Sequence, residues 1–174
     1  ALGYDYVAAP ASAELLFLRH MPDSALKPYF NILRTVVLTS RHEMDPDMMV
    51  EASLKLDVHG NVEHTAAGGF GPVHALDRAL RRALTRWYPE LEQMHLIDYK
   101  VRVLSPTRTN IPDAAEENGT GSNVRVLIES SDGVASWTTV GVSYSIIEAS
   151  LEVLADAVTC KLYKTEQARW RAEC

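Results

Sequence analysis

The sequence predicts an α+β fold of two pseudo-symmetric βββα units, antiparallel sheets with one helix each, preceded by a short helical linker segment. Three observations predict it. Stretches rich in β-branched residues alternate with a two-residue period in two separate groups, and each group ends in glycine followed by a helix-period stripe. Gly60 and Gly133, Gly68 and Gly141, and Leu80 and Val153 each stand 73 residues apart, as expected of an internal repeat. The composition agrees, because 174 residues with 47% hydrophobic and 23% charged content can bury a core without disulfides or a membrane.

Residues 1–30 are the linker segment, in which Ser12 reads as the N-cap of a short apolar helix over residues 11–19 and Pro22 and Pro28 punctuate a connector. The domain proper spans 31–164, with unit one about 31–90 and unit two about 95–164, and 165–174 form a C-terminal tail. In unit one, Ile32, Val36, Val37, Leu38 and Thr39 mark a first strand. After a turn-like Asp45-Pro46-Asp47, Val50, Ala52, Leu54, Leu56 and Val58 alternate as a second. His59-Gly60-Asn61 reads as a hairpin turn into the returning strand Glu63–Ala67. Val73, Leu76, Leu80, Leu84 and Trp87 then recur at helical spacing, with Pro72 in the first turn and Pro89 as the stop. Asp77, Arg78, Arg81, Arg82 and Arg86 fill the opposite face and read as solvated.

Unit two repeats the plan with Tyr99, Val101 and Val103, then Val124, Val126 and Ile128, then Trp137–Val140 after Asp132-Gly133. Ser145-x-x-Glu148 is a capping box before the stripe Ile147, Leu151, Leu154 and Val158. One phase disagrees. At the 73-residue offset, Val124, Val126 and Ile128 fall on Glu51, Ser53 and Lys55, and a bulge in one unit is the expected repair, since a one-residue slip exchanges the two faces of a strand. The loop 105–123 carries Pro106, Pro112, Glu116 and Glu117 and is expected to be exposed and mobile.

A formal net charge of −6 provides no positive field for nucleic acid. No apolar run approaches the ~20 residues of a membrane-spanning helix. Cys160 and Cys174 form no CxxC, and no secretory signal precedes the fold, so the expectation is a cytoplasmic chain. It begins at Ala1, which suggests a piece of a longer polypeptide. The six histidines make no HxH or HExxH, and there is no GxSxG, so neither a metal site nor a nucleophile can be assembled and the chain by itself is expected to be non-catalytic and to hold no cofactor. Gly68-Gly69-Phe70-Gly71-Pro72 lacks the Lys-Ser/Thr of a P-loop. It reads either as a close strand-to-helix turn or, together with Gly141-Val142-Ser143-Tyr144-Ser145, as a helix start whose backbone N–H groups receive a small carboxylate.

Several strings occur together: Glu63-His64-Thr65-Ala66-Ala67, Gly71-Pro72-Val73-x-Ala75-Leu76, Asp98-Tyr99-Lys100-Val101-Arg102-Val103, Arg125-Val126-Leu127-Ile128-Glu129-Ser130 and Trp137-x-Thr139-Val140-Gly141-Val142-Ser143-x-x-Ile146-Ile147-Glu148-Ala149-Ser150. Jointly they resemble the C-terminal regulatory domain of the isopropylmalate synthase and citramalate synthase family. Gly3-Tyr4-Asp5-Tyr6 and Ala11-Ser12-x-Glu14-Leu15-Leu16 resemble the linker of the citramalate branch. The resemblance implies a homodimerising, amino-acid-sensing domain that gives feedback control by isoleucine or leucine. Condensation of acetyl-CoA with a 2-oxo acid, and the divalent metal used for it, would belong to a catalytic barrel domain outside this chain. Carried onto this sequence, the effector pocket would use Gly69, Gly71 and Val73 in the first turn, with Phe70 where the family has Asn. It would also use Leu96, Tyr99 and Val103 on a strand and Val142 and Tyr144 in the second turn, with Asp98 or a backbone carbonyl taking the ammonium. A second reading is a ligand-silent structural dimerisation module whose pocket Phe70 closes.

Overall fold

Val50, Ala52, Leu54, Leu56 and Val58 are all buried, which is what two-residue alternation dictates for a strand with one face in a core. The computed structural model describes residues 3–21, 26–42, 45–104 and 122–173. In chain order the elements are α1 (Pro10–His20), β1 (Asn31–His42), β2 (Asp45–Val58), β3 (Asn61–Gly69), α2 (Pro72–Leu84), a 3-10 turn (Pro89–Gln93), β4 (His95–Val103), β5 (Val124–Ser131), β6 (Ser136–Ser143) and α3 (Ile146–Glu173). The strands form two antiparallel three-stranded sheets, β1-β2-β3 and β4-β5-β6, so the α+β class and the βββα plan agree with the sequence. Two compact units result, Ala1–Phe17 with His95–Ala157, and Leu18–Met94 with Val158–Cys174. The expected loop at 105–123 falls almost wholly outside the described residues.

In the β1–β3 unit, α2 buries Ala75, Leu76, Ala79, Leu80, Ala83 and Leu84. This i, i+3, i+4 stripe faces β2 and β3. The helix ends at Leu84 rather than near Pro89, because Thr85 caps it by donating its backbone N–H and its hydroxyl to Arg81 O. Trp87 therefore lies beyond the helix, where its indole donates to Glu63 at 3.0 Å. Asp45-Pro46-Asp47 is strand and not turn. Proline is tolerated there because β3 pairs with β2 only from Val50 onward. The C-terminal part of α3 joins this unit through Tyr29 Oη to Glu166 Oε2 at 2.5 Å and Arg169 to Glu90 at 3.4 Å. Residues 165–173 are thus helix and not a tail.

In the β4–β6 unit, α3 buries Ala149, Ser150, Val153, Leu154 and Ala157, while Ile147 and Leu151 are only half-buried. Ser12 lies inside α1 and is no N-cap. It is buried, and its hydroxyl accepts the Val140 N–H of the edge strand β6 at 2.9 Å. Tyr4 donates to Glu152 at 2.8 Å, and Arg125 holds Gly3 O and Asp5.

The two units superimpose in sequence at 74 residues, not 73. Thr65 Oγ1 donates to Ala79 O, and Thr139 Oγ1 to Val153 O. The buried stripe of α2 and that of α3 are displaced by the same 74, and Val50, Ala52, Leu54 and Leu56 then fall on Val124, Val126, Ile128 and Ser130. The phase conflict disappears without a bulge in the middle strand. Gly60 and Gly133 are not equivalent: the first turn has positive φ at His59 and Gly60, whereas the second has it at Gly133 alone. Bulges do occur, in both units and on the first strands, at Ile32/Arg34 opposite β2 and Leu96/Asp98 opposite β5.

Candidate functional site

The two strand-to-helix turns have different chemistry. β3 runs through Gly69, so the first turn is Phe70-Gly71 only. A Cβ on Gly69 would lie 2.5 Å from Ala75 N and 2.9 Å from Ala75 Cα, so glycine is required by the close approach of the helix backbone. Gly71 is the N-cap, extended at φ −165, and no side chain caps the helix. Pro72 has no N–H, which leaves Val73 and His74 as first-turn donors without helical partners. Phe70 does not fill a cavity within its unit. The residue is 98% exposed, its ring stacks on His74 with centroids 5.3 Å apart, and its N–H donates to His74 Nδ1 at 3.2 Å.

The second turn satisfies itself. β6 includes Gly141, Val142 and Ser143, leaving Tyr144-Ser145 as the turn. Ser145 Oγ accepts the Glu148 N–H at 3.3 Å, and Ser143 Oγ accepts the Ser145 N–H at 3.1 Å and donates to Glu148 Oε2 at 2.6 Å. Ser145 therefore caps α3 as read from sequence, with Ser143 standing between the Ser145 N–H and Glu148, and the Glu148 carboxylate at this helix start opposes a second anion. The α2 start has neither a capping side chain nor an acidic residue in its first turn. Tyr144 occupies the position equivalent to Phe70 and is 68% exposed.

On β4, Leu96, Tyr99 and Val103 share the helix-facing side, because they pair with Ser130, Ile128 and Val124. Tyr99 Oη lies 3.2 Å from Ser150 Oγ of α3, and Val103 remains 58% exposed, an apolar strip with open surface. Asp98 lies on the opposite face, pairing with Glu129. It bonds Lys100 and accepts the Tyr99 N–H. The Lys100 ammonium holds the Asp98 carboxyl below the usual carboxylate range, and Asp98 in turn raises Lys100. Asp98 is thus withdrawn from the strip that the sequence assigned it to serve. Val142 is also on the far face, opposite Arg125 and beside Gly3. Gly69 ends β3, Gly71 caps α2 and Val73 is the second residue of that helix, so the three flank one strand-to-helix turn.

Two features escaped sequence reading. Ser130 Oγ, buried beside Leu96, has no hydrogen-bond partner. The arginines of α2 are not simply solvated: Arg81 is held by both oxygens of Asp77 at 2.9 Å and donates to Leu91 O and Met94 O, while Arg78 and Arg82 reach carbonyls of β3. Their i, i+4 spacing beside a glycine-rich edge strand was the available signal. Among the described residues, no group of three or more His, Cys, Asp or Glu side chains could hold a metal ion, and no helix is long and apolar enough to cross a membrane.

Residues 8–162 match the family profile described as the LeuA allosteric (dimerisation) domain. The chain is 46% identical over 165 residues to the (R)-citramalate synthase of Aquifex aeolicus and 42% identical over 165 residues to that of Geobacter sulfurreducens. Each match covers 95% of this chain and 29% of the relative. The 2-isopropylmalate synthase of Aquifex aeolicus is 29% identical over 137 residues, 79% of this chain and 23% of that protein. The chain therefore spans less than a third of the length of these relatives.

Proposed function

Because the chain belongs to the LeuA allosteric (dimerisation) domain family, we propose that it is the feedback-sensing, homodimerising part of a citramalate synthase, responsive to isoleucine or leucine. The synthase relatives it resembles are more than three times its length. In this reading the catalytic barrel, with its divalent metal and acetyl-CoA chemistry, is carried by the remainder of such a polypeptide.

The observation that carries the proposal is the asymmetry of the helix starts. α2 begins uncapped, behind a glycine that only a close backbone approach requires. Its Val73 and His74 N–H groups and positive dipole end suit the carboxylate of an amino acid. In this reading backbone carbonyls take the ammonium in place of Asp98, which is bonded to Lys100. Feedback requires the amino acid to bind two states of the dimer unequally, with coupling of about 1–3 kcal/mol typical. Isoleucine and leucine differ in the placement of one methyl group, which a shaped pocket separates by about 1–3 kcal/mol.

The test is calorimetric titration of the chain with isoleucine, leucine and valine, alongside melting curves. Ligand at 100 times its Kd stabilises the native state by ~2.7 kcal/mol. Saturable binding of one amino acid supports the sensor, whereas silence from all three with an intact dimer supports the ligand-silent module. That second reading depended on Phe70 closing a pocket, and the solvent-facing ring stacked on His74 argues against it.

A further inference from the structure

β3 is an edge strand, and α2 lays two guanidinium groups along its free side. Arg78 Nη1 donates to Gly68 O at 2.8 Å, and Arg82 Nη1 reaches Ala66 O at 3.5 Å. These carbonyls are two residues apart, so they point the same way along the edge, roughly 7 Å from each other. A guanidinium has five N–H donors in a planar fork. One carbonyl each leaves both arginines with most of their donors available. Arg81 differs, because its charge is matched by Asp77. Neither Arg78 nor Arg82 has a carboxylate within ion-pair distance among the described residues.

Arg78 and Arg82 border an open cleft of about 380 Å³ that is also lined by Glu51, Ala66, Ala67, Gly68 and Arg81. Ala66 and Gly68 present nothing larger than a methyl group, so the floor gives a ligand room to approach the backbone. Glu51, opposite Gly68 in the β2–β3 pairing, places one negative charge on the cleft wall without reaching the arginines. The chain as a whole carries a net charge of −6, so an anion gains nothing from the long-range field. It gains only from short-range, forked hydrogen bonds.

We propose that this cleft is an oxyanion-binding site, taking the phosphoryl or carboxylate group of a small molecule between Arg78 and Arg82. An anion that draws Arg78 from Gly68 O loosens the tie between α2 and the end of β3, directly before Gly69. The site is independent of the amino-acid reading, since it uses neither the Val73 and His74 donors nor β4.

The test uses the whole chain, titrated by calorimetry with inorganic pyrophosphate and separately with malonate at constant ionic strength. One-site binding of pyrophosphate alone identifies a phosphoryl ligand, of malonate alone a carboxylate ligand, and of both a general oxyanion site. Arg78→Gln and Arg82→Gln should each weaken binding about 10-fold or more, the size of a lost charge-assisted hydrogen bond. Glu51→Gln should tighten it several-fold. No saturable heat from either anion up to about 20 mM, a range that captures even millimolar affinities, would overturn the proposal. So would affinities unchanged in both arginine variants. If those variants do not fold, Glu51→Gln decides, because unaltered affinity on removing a charge from the wall places the anion elsewhere.

Discussion

Replacing Gly71 by serine separates the helix-start chemistry from the rest of the fold. Gly71 has φ −165 and ψ 171, the extended backbone that an N-cap serine adopts, and a Cβ there meets nothing within 4 Å. The substitution is therefore free of steric cost. Its hydroxyl oxygen would accept the N–H of Val73 or His74, the second and third helical positions. Serine exceeds glycine as a cap by a few tenths of a kcal/mol, and restricting the unfolded chain adds about 0.4–1 kcal/mol. The sum is about 1 kcal/mol of added stability, or roughly 2–4 °C in Tm for a domain of this size. The same hydroxyl removes one of the two donors assigned to the effector carboxylate. A charge-assisted hydrogen bond of about 1.5–3 kcal/mol is lost, so Kd rises about 10-fold to 150-fold. Melting curves with and without isoleucine or leucine, and calorimetric titration of Gly71→Ser, read both effects together. A higher Tm with an unaltered Kd would refute the assignment of the carboxylate to α2, and a lower Tm would refute the description of its start as open.

Four further outcomes are expected. Gly69→Ala forces a Cβ to 2.5 Å from Ala75 N, so it should destabilise by about 1–3 kcal/mol or more, read by urea denaturation, and an unchanged midpoint would contradict the close approach. Ser145→Ala removes the cap on Glu148 N–H and should cost about 1 kcal/mol in the same assay, with no effect on effector affinity. Ser130→Ala deletes a buried hydroxyl without a partner and should raise stability by about 1 kcal/mol, whereas a fall in Tm would mean that the hydroxyl is bonded. Burial and the neighbouring Glu152 push Tyr4 up to about 12, and burial with Glu166 raises Tyr29 further still. The fold favours both neutral phenols, so their contribution is complete below the ordinary tyrosine value near 10 and is lost as pH rises through 12. Tm should fall over that window, and the fall should be shallower in Tyr4→Phe and Tyr29→Phe. Equal slopes in the variants would sink this account.

The sequence by itself determined the class of the fold, the strands, the hairpins and the Ser145 cap of α3. These depend on interactions within a few residues: alternation along β2, Pro72 inside the first turn of α2, and Ser145 with Glu148 three residues apart at the start of α3. The repeat was legible too, but its offset was not. Matching Gly60 to Gly133 and Gly68 to Gly141 aligned residue types whose backbone roles differ, while the phase of Val124, Val126 and Ile128 already pointed to 74. The tertiary structure decided which face each site residue occupies. The bulge at Leu96/Asp98 brings Leu96 onto the face of Tyr99 and Val103 while Asp98 stays on the other face, bonded to Lys100, and strand pairing puts Val142 on the side of Arg125. It also decided that Arg78 and Arg82 line an edge strand and that Ser12 serves β6 and not its own helix. The physical reason is separation along the chain. A cap or a stripe is complete within one or two turns of backbone, but the partner of Ser12 is 128 residues away, and only closure of the fold brings such groups within hydrogen-bonding distance.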